Sequence, residues 1–154
     1  MVFKFNISEK GKAWKIESDN ESFIGKKIGD KLDGQEISAD LAGYELEITG
    51  TSDGAGFPGF KEVDGPGMKA LLLGYGKGMH KKPKGLSKKP GEKPRGLRLR
   101  KTVRGNTLSK DTSQVNLKVL KTGSKKLGEI FPEQNKPKEK KVEADPVQTE
   151  APAK

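Results

Sequence analysis

The feature that most constrains the fold of this chain is a set of short runs in which apolar and polar residues alternate. Apolar side chains occupy every second position in residues 3–7, 14–16, 44–48 and 115–119. A period of two is typical of a β-strand with one buried face. Turn signals separate the runs, and no long run follows the spacing of a helix. The pattern predicts an all-β fold, either an antiparallel barrel or a sandwich.

Local patterns refine this prediction. Lys10-Gly11 is a turn signal, and Asp33-Gly34 predicts a two-residue hairpin because both of its positions tolerate positive φ. Ser38 can cap one short helical turn. Residues 69–73 are apolar on both faces, which predicts a strand buried on both sides or facing a barrel interior.

A further alternating run carries arginine. Residues 97–100 alternate between leucine and arginine, so one face of this strand is predicted to enter the core while the other presents guanidinium groups. The alternation breaks at Lys101-Thr102, which predicts a bulge or bend.

The stretch from Lys77 to Arg104 holds the charge of the chain. It contains twelve Lys or Arg and one acid, Glu92, so its net charge is +11, whereas the whole chain carries +10. Residues 1–76 carry −4. Concentrated cations repel one another unless an anion lies opposite, and the commonest dense anion in a cell is a nucleic-acid backbone. A solvated basic loop without a fixed partner is the alternative.

Prolines and glycines interrupt this stretch between residues 77 and 96 and exclude a continuous helix. Its apolar residues there are Met79 and Leu86, so it has no amphipathic face for a membrane. The expected structure is an extended basic arm, which suits a folded RNA surface better than a B-form groove. We expect the arm to be disordered in the free protein, because RNA relieves its self-repulsion.

The chain therefore divides into a folded body, an arm and a tail. The predicted units are the first part of the body at 1–76, the arm at 77–96, the closing strands at 97–131 and the tail at 132–154. The tail has balanced charge, four prolines and no aromatic residue. It cannot bury enough surface to offset chain entropy, so we expect it to be disordered.

Little in the sequence points to catalysis. Gly54, Gly56 and Gly59 match the G-x-G-x-x-G pattern of a dinucleotide-binding turn, but Pro58 and the Asp-Gly-Pro-Gly that follows forbid the helix which that turn must open. The chain has no cysteine and one histidine, His80, so we expect neither a zinc site nor a catalytic triad. We predict no enzyme activity, no metal, no cofactor and no small-molecule substrate.

The aromatic residues fall into two groups. Phe3, Phe5, Trp14 and Tyr44 alternate with polar residues and are expected in the core. Tyr75, between two glycines at the start of the arm, is the candidate for stacking on a base. The absence of cysteine suits a cytosolic protein, and we recognise neither a signal peptide nor an apolar run long enough to span a membrane.

The most specific motifs of the chain are Ile48-Thr49-Gly50, Asp53, Gly56-Phe57-Pro58 and the run 100–105. Together with segments across nearly all of residues 1–121, they resemble the archaeal and eukaryotic family of small-subunit ribosomal protein six (S-six-e). The resemblance implies a β-barrel body that contacts ribosomal RNA in the small subunit, beside other ribosomal proteins and without catalysis. The short tail without serine resembles the archaeal form.

Two positions in the glycine-rich loop, residues 50–60, depart from the family pattern. Thr51 stands where the family usually has glycine, and Gly59 where it usually has methionine. The resemblance therefore leaves the conformation of this loop open.

The predicted RNA-binding residues are the cations of the arm and of the barrel edge, together with His80. The resemblance carries RNA contact over to Arg98, Arg100, Lys101 and Arg104, and the charge of the arm predicts the other cations: Lys77, Lys81, Lys82, Lys84, Lys88, Lys89, Lys93 and Arg95. His80 is predicted as a further polar contact for RNA, and a solvated side chain without a partner is the alternative. Two alternatives stay open. One is an architectural DNA-binding protein with the same electrostatics, and the other is an enzyme that binds a phosphate ligand in the Gly54–Gly59 loop.

Overall fold

The protein is described by a computed structural model that covers residues 2–81 and 95–135. This part of the chain is mainly β, which confirms the class predicted from the alternation. Its strands are β1 (Phe3–Glu9), β2 (Lys12–Ser18), β3 (Lys31–Asp33), β4 (Glu45–Asp53), β5 (Met68–Gly74), β6 (Arg98–Arg104) and β7 (Thr112–Lys121). Its α-helices are α1 (Gly34–Ile37) and α2 (Leu127–Ile130), and 3-10 helices lie at Glu21–Phe23 and Ala39–Leu41.

Five strands form one sheet in the order β2-β1-β7-β4-β3. β1 and β7 run parallel, and the other neighbours are antiparallel. The pairings in the described residues do not join β2 to β3, so the sheet stays open. The predicted antiparallel barrel is therefore wrong: the sheet is mixed and not closed. Alternation fixes which face of a strand is buried, but it does not fix which strand lies beside it.

The hydrophobic core covers one face of this sheet. Phe3 and Phe5 of β1 are fully buried, and Phe23 from the first 3-10 helix meets Phe5 edge-to-face with ring centroids 4.9 Å apart. Trp14 and Tyr44 are also buried, as the alternation predicted. The aromatic residues of the first half thus hold the body together.

Two predicted turns have different outcomes. Lys10 and Gly11 both have positive φ, 45° and 80°, and join β1 to β2 as a two-residue hairpin. The hairpin predicted at Asp33-Gly34 is wrong, because Gly34 begins α1. Glycine is needed there for close packing, since a Cβ would lie 2.3 Å from the carbonyl oxygen of Leu41. The predicted cap is confirmed: the Ser38 hydroxyl accepts from the backbone N–H of Asp40 in the second 3-10 helix.

β5 and β6 pair with each other and form a two-stranded ribbon outside the five-stranded sheet. Arg104 at the end of β6 also makes a parallel bridge to Gly59. The prediction that residues 69–73 are buried on both faces is wrong, because β5 is largely exposed. The predicted bulge at Lys101-Thr102 is also wrong, since the register from Met68–Arg104 to Gly74–Arg98 is uninterrupted. A lysine at position 101 is tolerated because this ribbon face is only partly buried.

The end of the described chain covers the free edge of β2. The Gln134 side chain accepts from the Lys15 backbone N–H at 2.7 Å and donates to the Lys15 carbonyl at 2.9 Å. Asn135 donates to the Ala13 carbonyl at 2.8 Å. An exposed strand edge invites pairing with another chain, and these amide groups occupy its pairing positions. The rest of the predicted tail, 136–154, and arm residues 82–94 lie outside the described residues, so the predictions of disorder stay predictions.

Candidate nucleic-acid interface

The strands of the β5–β6 ribbon contain basic side chains and no acidic ones. Its fourteen residues include no Asp or Glu. Its cations are Lys69, Arg98, Arg100, Lys101 and Arg104. A surface of this kind is complementary to a polyanion.

The register gives the two faces of the ribbon different characters. One face carries the pairs Leu72–Arg100, Ala70–Thr102 and Gly74–Arg98, whose six residues are exposed, and the pair of exposed Met68 with partly buried Arg104. The opposite face carries Leu73–Leu99 and Leu71–Lys101, which are partly buried, and the pair of exposed Lys69 with buried Val103. Within β6 the separation of arginine and leucine onto two faces is confirmed, but the prediction that the leucine face enters the main core is wrong. Val103 on that face is fully buried outside the main core cluster.

A tight turn fixes the start of the arm. The backbones of Gly76 and Met79 exchange two hydrogen bonds of 2.8 and 3.0 Å, and the Met79 side chain is buried. The Lys77 ammonium lies 5.0 Å from the centre of the Phe60 ring, within range of a cation–π contact. The burial of Met79 therefore determines where the basic stretch leaves the body.

Eight of the thirteen predicted RNA-binding residues lie in the described part of the chain. Six are exposed and two, Lys101 and Arg104, are partly buried. The six exposed residues are Lys77, His80, Lys81, Arg95, Arg98 and Arg100. Lys82, Lys84, Lys88, Lys89 and Lys93 lie outside the described residues. The His80 ring stands edge-on to Tyr75 with centroids 6.0 Å apart, so the only histidine and the candidate stacking residue are neighbours.

Arg104 is engaged within the protein. Its Nε donates to Asp53 at 2.8 Å, and its Nη1 lies 2.9 Å from the Asp111 carboxylate and donates to the Pro66 carbonyl at 3.0 Å. Asp53 holds the pKa of Arg104 above its ordinary value. Arg104 therefore ties the ribbon to the last residue of β4, and this geometry favours a positioning role over direct contact with RNA.

Asp53, the partner of Arg104 in this ion pair, also holds the glycine-rich loop at residues 50–60. Its Oδ1 accepts from the Ala55 backbone N–H at 2.9 Å, and its Oδ2 accepts from Arg104. The Ala55 hydrogen bond, and after it Arg104, lowers the pKa of the Asp53 carboxyl, while partial burial opposes the shift. The ionised form is thus favoured in the folded protein.

The lowered pKa of Asp53 predicts a loss of stability in acid. A carboxyl whose folded pKa is depressed stabilises the fold above its unfolded pKa, about 4, and this contribution is lost as the pH falls through the folded pKa. Asp53→Asn should lower the free energy of unfolding by about 2 kcal/mol at pH 7, the value of a charged hydrogen bond. The difference from wild type should shrink as the pH falls below the unfolded pKa toward the lowered folded pKa of Asp53, because wild-type Asp53 then becomes protonated too.

Denaturant titrations at several pH values test this expectation. Asp19→Asn, at an exposed position before the first 3-10 helix, is the matched control for the loss of one carboxylate. A constant difference between wild type and Asp53→Asn from pH 7 to pH 3 would contradict the assignment.

The two departures from the family pattern meet in this loop. The Gly59 N–H donates to the Thr51 carbonyl at 2.9 Å, and a Cβ on Gly59 would lie 2.1 Å from the Thr51 hydroxyl. The threonine side chain therefore fills the space that a side chain at position 59 would need. The chain continues from Gly59 through turns into β5. No helix opens from this loop, which agrees with the rejection of a dinucleotide site.

Elsewhere the described residues offer no competing site of clear chemistry. Within them, no group of three or more His, Cys, Asp or Glu is placed to hold a metal. Across the same residues, no helix has the length and apolar character needed to cross a membrane. A cleft of about 510 Å³ lies near Tyr44, and its charged lining residues are Lys10, Lys12, Lys126, Glu9 and Glu129. Carboxylates therefore offset most of the positive charge in this cleft, in contrast to the ribbon.

Sequence reasoning missed the exposed apolar residues of the ribbon. Met68 and Leu72 are 54% and 59% exposed, although the apolar run containing Leu72 predicted burial. The signal that could have revealed them is the partner strand, which alternates arginine with other residues and so cannot lie in a core.

Comparisons with known proteins match the whole body and the ribbon together. The model of the family described as Ribosomal protein S6e matches residues 3–132. The protein named small ribosomal subunit protein eS6 from Methanococcus maripaludis strain C5 is 40% identical over 130 residues, covering 83% of this chain and 94% of its own. Proteins of the same name from Methanosphaera stadtmanae and Nanoarchaeum equitans are 40% and 41% identical, covering 86% of this chain and 95% and 91% of theirs. The chain belongs to the Ribosomal protein S6e family.

Proposed function

We propose that this protein is a structural constituent of the small ribosomal subunit and binds ribosomal RNA through the β5–β6 ribbon and the basic arm at 77–96. Its family is structural and non-enzymatic. Its relatives are archaeal proteins named as components of the small subunit. The protein therefore acts in translation, on the ribosome in the cytoplasm.

The proposal of RNA binding depends mainly on the exposed positive charge of the ribbon. Arg98 and Arg100 are exposed on one face, and no carboxylate lies on either strand to compete with phosphate. β5 precedes the stretch whose net charge exceeds that of the whole chain, and β6 is the last part of that stretch. Charge of this density is relieved by a nucleic-acid backbone.

The cations have different tasks in this proposal. The lysines of the arm act as compact point charges that neutralise phosphates, and Arg98 and Arg100 give planar, bidentate contacts at the ribbon. Arg104 holds the ribbon on the body through Asp53, so that these contacts are made from a fixed position. The five-stranded sheet is the anchor, and other small-subunit proteins are its expected neighbours.

Crosslinking within assembled subunits tests the proposal. A photoreactive residue at position 100 should crosslink to ribosomal RNA in purified small subunits. The comparison is position 31, an exposed lysine on β3 in the half of the chain that carries net negative charge, which should give fewer RNA crosslinks. Crosslinks from position 100 to protein alone, or none, would contradict RNA binding by the ribbon.

A further inference from the structure

The exposed face of the ribbon is not purely cationic. Met68 and Leu72 are two of the four large apolar side chains that lie exposed in the described part of the chain. They stand two pairs apart on the same face, with Ala70 between them. Leu72 lies directly opposite Arg100, so apolar and guanidinium groups share one surface.

The positive charge of this face favours RNA over a protein as its binding partner. A protein partner would have to bring carboxylates to meet Arg98 and Arg100, whereas RNA brings a phosphate at every nucleotide. A pure phosphate contact would not explain Leu72, because a polar side chain would serve better beside phosphate and water. The occupant must offer anionic and less polar surface within a few ångströms of each other.

The wide, shallow groove of double-helical RNA offers that combination. Side chains cannot read its deep groove, but the shallow groove displays sugar edges and 2′-hydroxyls between two phosphate backbones. A seven-residue ribbon is about 23 Å long and has strands about 4.8 Å apart, so it can lie along such a surface.

We infer that the Leu72 face of the ribbon packs against the shallow groove of a ribosomal RNA helix. Leu72 and Met68 lie against ribose edges, Thr102 offers its hydroxyl to a 2′-hydroxyl, and Arg98 and Arg100 reach the bordering phosphates. This inference rests on the proposed function and adds to it the kind of RNA surface and the apolar contact. Part of the binding is then independent of salt, because burial of Leu72 releases no counterions.

Two substitutions separate the apolar contact from the ionic one. Leu72→Ser should weaken binding to purified small-subunit ribosomal RNA about tenfold, the lower end for burying a leucine side chain, without changing the salt slope. Arg100→Gln should weaken binding and also reduce the slope of log affinity against log salt by about one. Leu120→Ser, at an exposed leucine on β7 outside the ribbon, is the matched control and should bind like wild type.

The experiment is run on purified RNA and on small subunits from which the protein has been washed out with salt. If Leu72→Ser binds purified RNA and washed small subunits as tightly as wild type does, the inference fails. A reduced salt slope for Arg100→Gln in the same experiment would still support the proposed function. If Leu72→Ser binds purified RNA normally but is lost from subunits, its contact is a protein and the inference also fails. Failure of the wild type to bind either target overturns the proposed function itself.

Competition by duplex RNA and duplex DNA tests whether the protein binds the shallow groove of an RNA helix. Duplex RNA should displace the protein more effectively than duplex DNA of the same sequence, and Leu72→Ser should reduce that preference. Equal competition by the two duplexes would overturn the shallow-groove contact. Thermal unfolding of each variant should match wild type, because substitutions at exposed positions usually change stability little.

Discussion

The affinity of this protein for ribosomal RNA should fall by about 10³ to 10⁵-fold between ~50 and ~200 mM salt. Each phosphate that a lysine or arginine neutralises releases a counterion, so log affinity falls linearly with log salt. The stretch from Lys77 to Arg104 has twelve cations. If six to ten of them meet phosphates, the slope on double-helical RNA should be comparable to that of a strong DNA-binding protein, roughly −5 to −9.

Fluorescence titrations of the labelled protein with small-subunit ribosomal RNA, over a series of salt concentrations, measure this slope. Replacing Arg95, Arg98 and Arg100 together by Gln should make the slope shallower by about three. Replacing Lys10, Lys12 and Lys15, exposed lysines around the β1–β2 hairpin, removes the same charge from the body and should leave the slope nearly unchanged. Equal effects of the two triple variants would show that net charge, and not the ribbon, governs binding.

Gly105→Ala should be the most destabilising single methyl addition at the junction of ribbon and body. A Cβ at Gly105 would lie 1.7 Å from the backbone oxygen of Gly65 and 3.1 Å from that of Val63. Backbone cannot rotate away as a side chain can. The loop would have to move and would lose bonds such as the one from Asn106 N–H to the Val63 carbonyl, at 2.7 Å. We expect a loss of about 3 to 5 kcal/mol, which is a large part of the stability of a typical domain.

Gly59→Ala provides the contrast, because its nearest obstacle is a side chain. The Thr51 hydroxyl lies 2.1 Å from the position of the added Cβ. We expect Gly59→Ala alone to cost about 1 to 3 kcal/mol as an overpacked site. Thr51→Gly should restore about 1 kcal/mol or more in the double variant, since the two residues are in contact and their effects should not add.

Urea titrations of Gly105→Ala, of Gly59→Ala and of each combined with Thr51→Gly measure these differences. The two glycines lie in the same junction, so the comparison isolates the kind of atom that the new methyl meets. A Gly105→Ala protein as stable as Gly59→Ala would contradict the close approach of residues 105 and 65. Rescue of Gly105→Ala by Thr51→Gly would contradict the distinction between backbone and side-chain obstacles.

The body of the protein illustrates how far alternation can predict a fold. It correctly assigned the buried faces of β1, β2, β4 and β7, because a residue in a strand lies on the same side as the residues two positions away. A separate local signal predicted a turn at Lys10-Gly11, and this turn joins β1 to β2 in a conformation that depends only on neighbouring residues. Strand pairing depends on residues far apart in the chain: β1 pairs with β7, which begins over a hundred residues later.

The apolar run in β5 shows why a local pattern can mislead. Leu71, Leu72 and Leu73 predict burial, because apolar side chains gain free energy by leaving water. Their strand pairs with β6, across the arm, and β6 brings arginine to the same surface. A two-stranded ribbon has no second layer over its exposed face, so Leu72 stays in solvent.

The sequence by itself determined the mainly-β class, the buried faces of the body strands, the family resemblance and the concentration of cations between residues 77 and 104. These are properties of residue type and of close neighbours along the chain. Only the tertiary structure decided that the sheet is open and mixed, that Leu72 and Arg100 share an exposed face, and that Arg104 is bound by Asp53 and Asp111. These features depend on contacts between distant segments, and many different pairings are compatible with the same alternation of side chains.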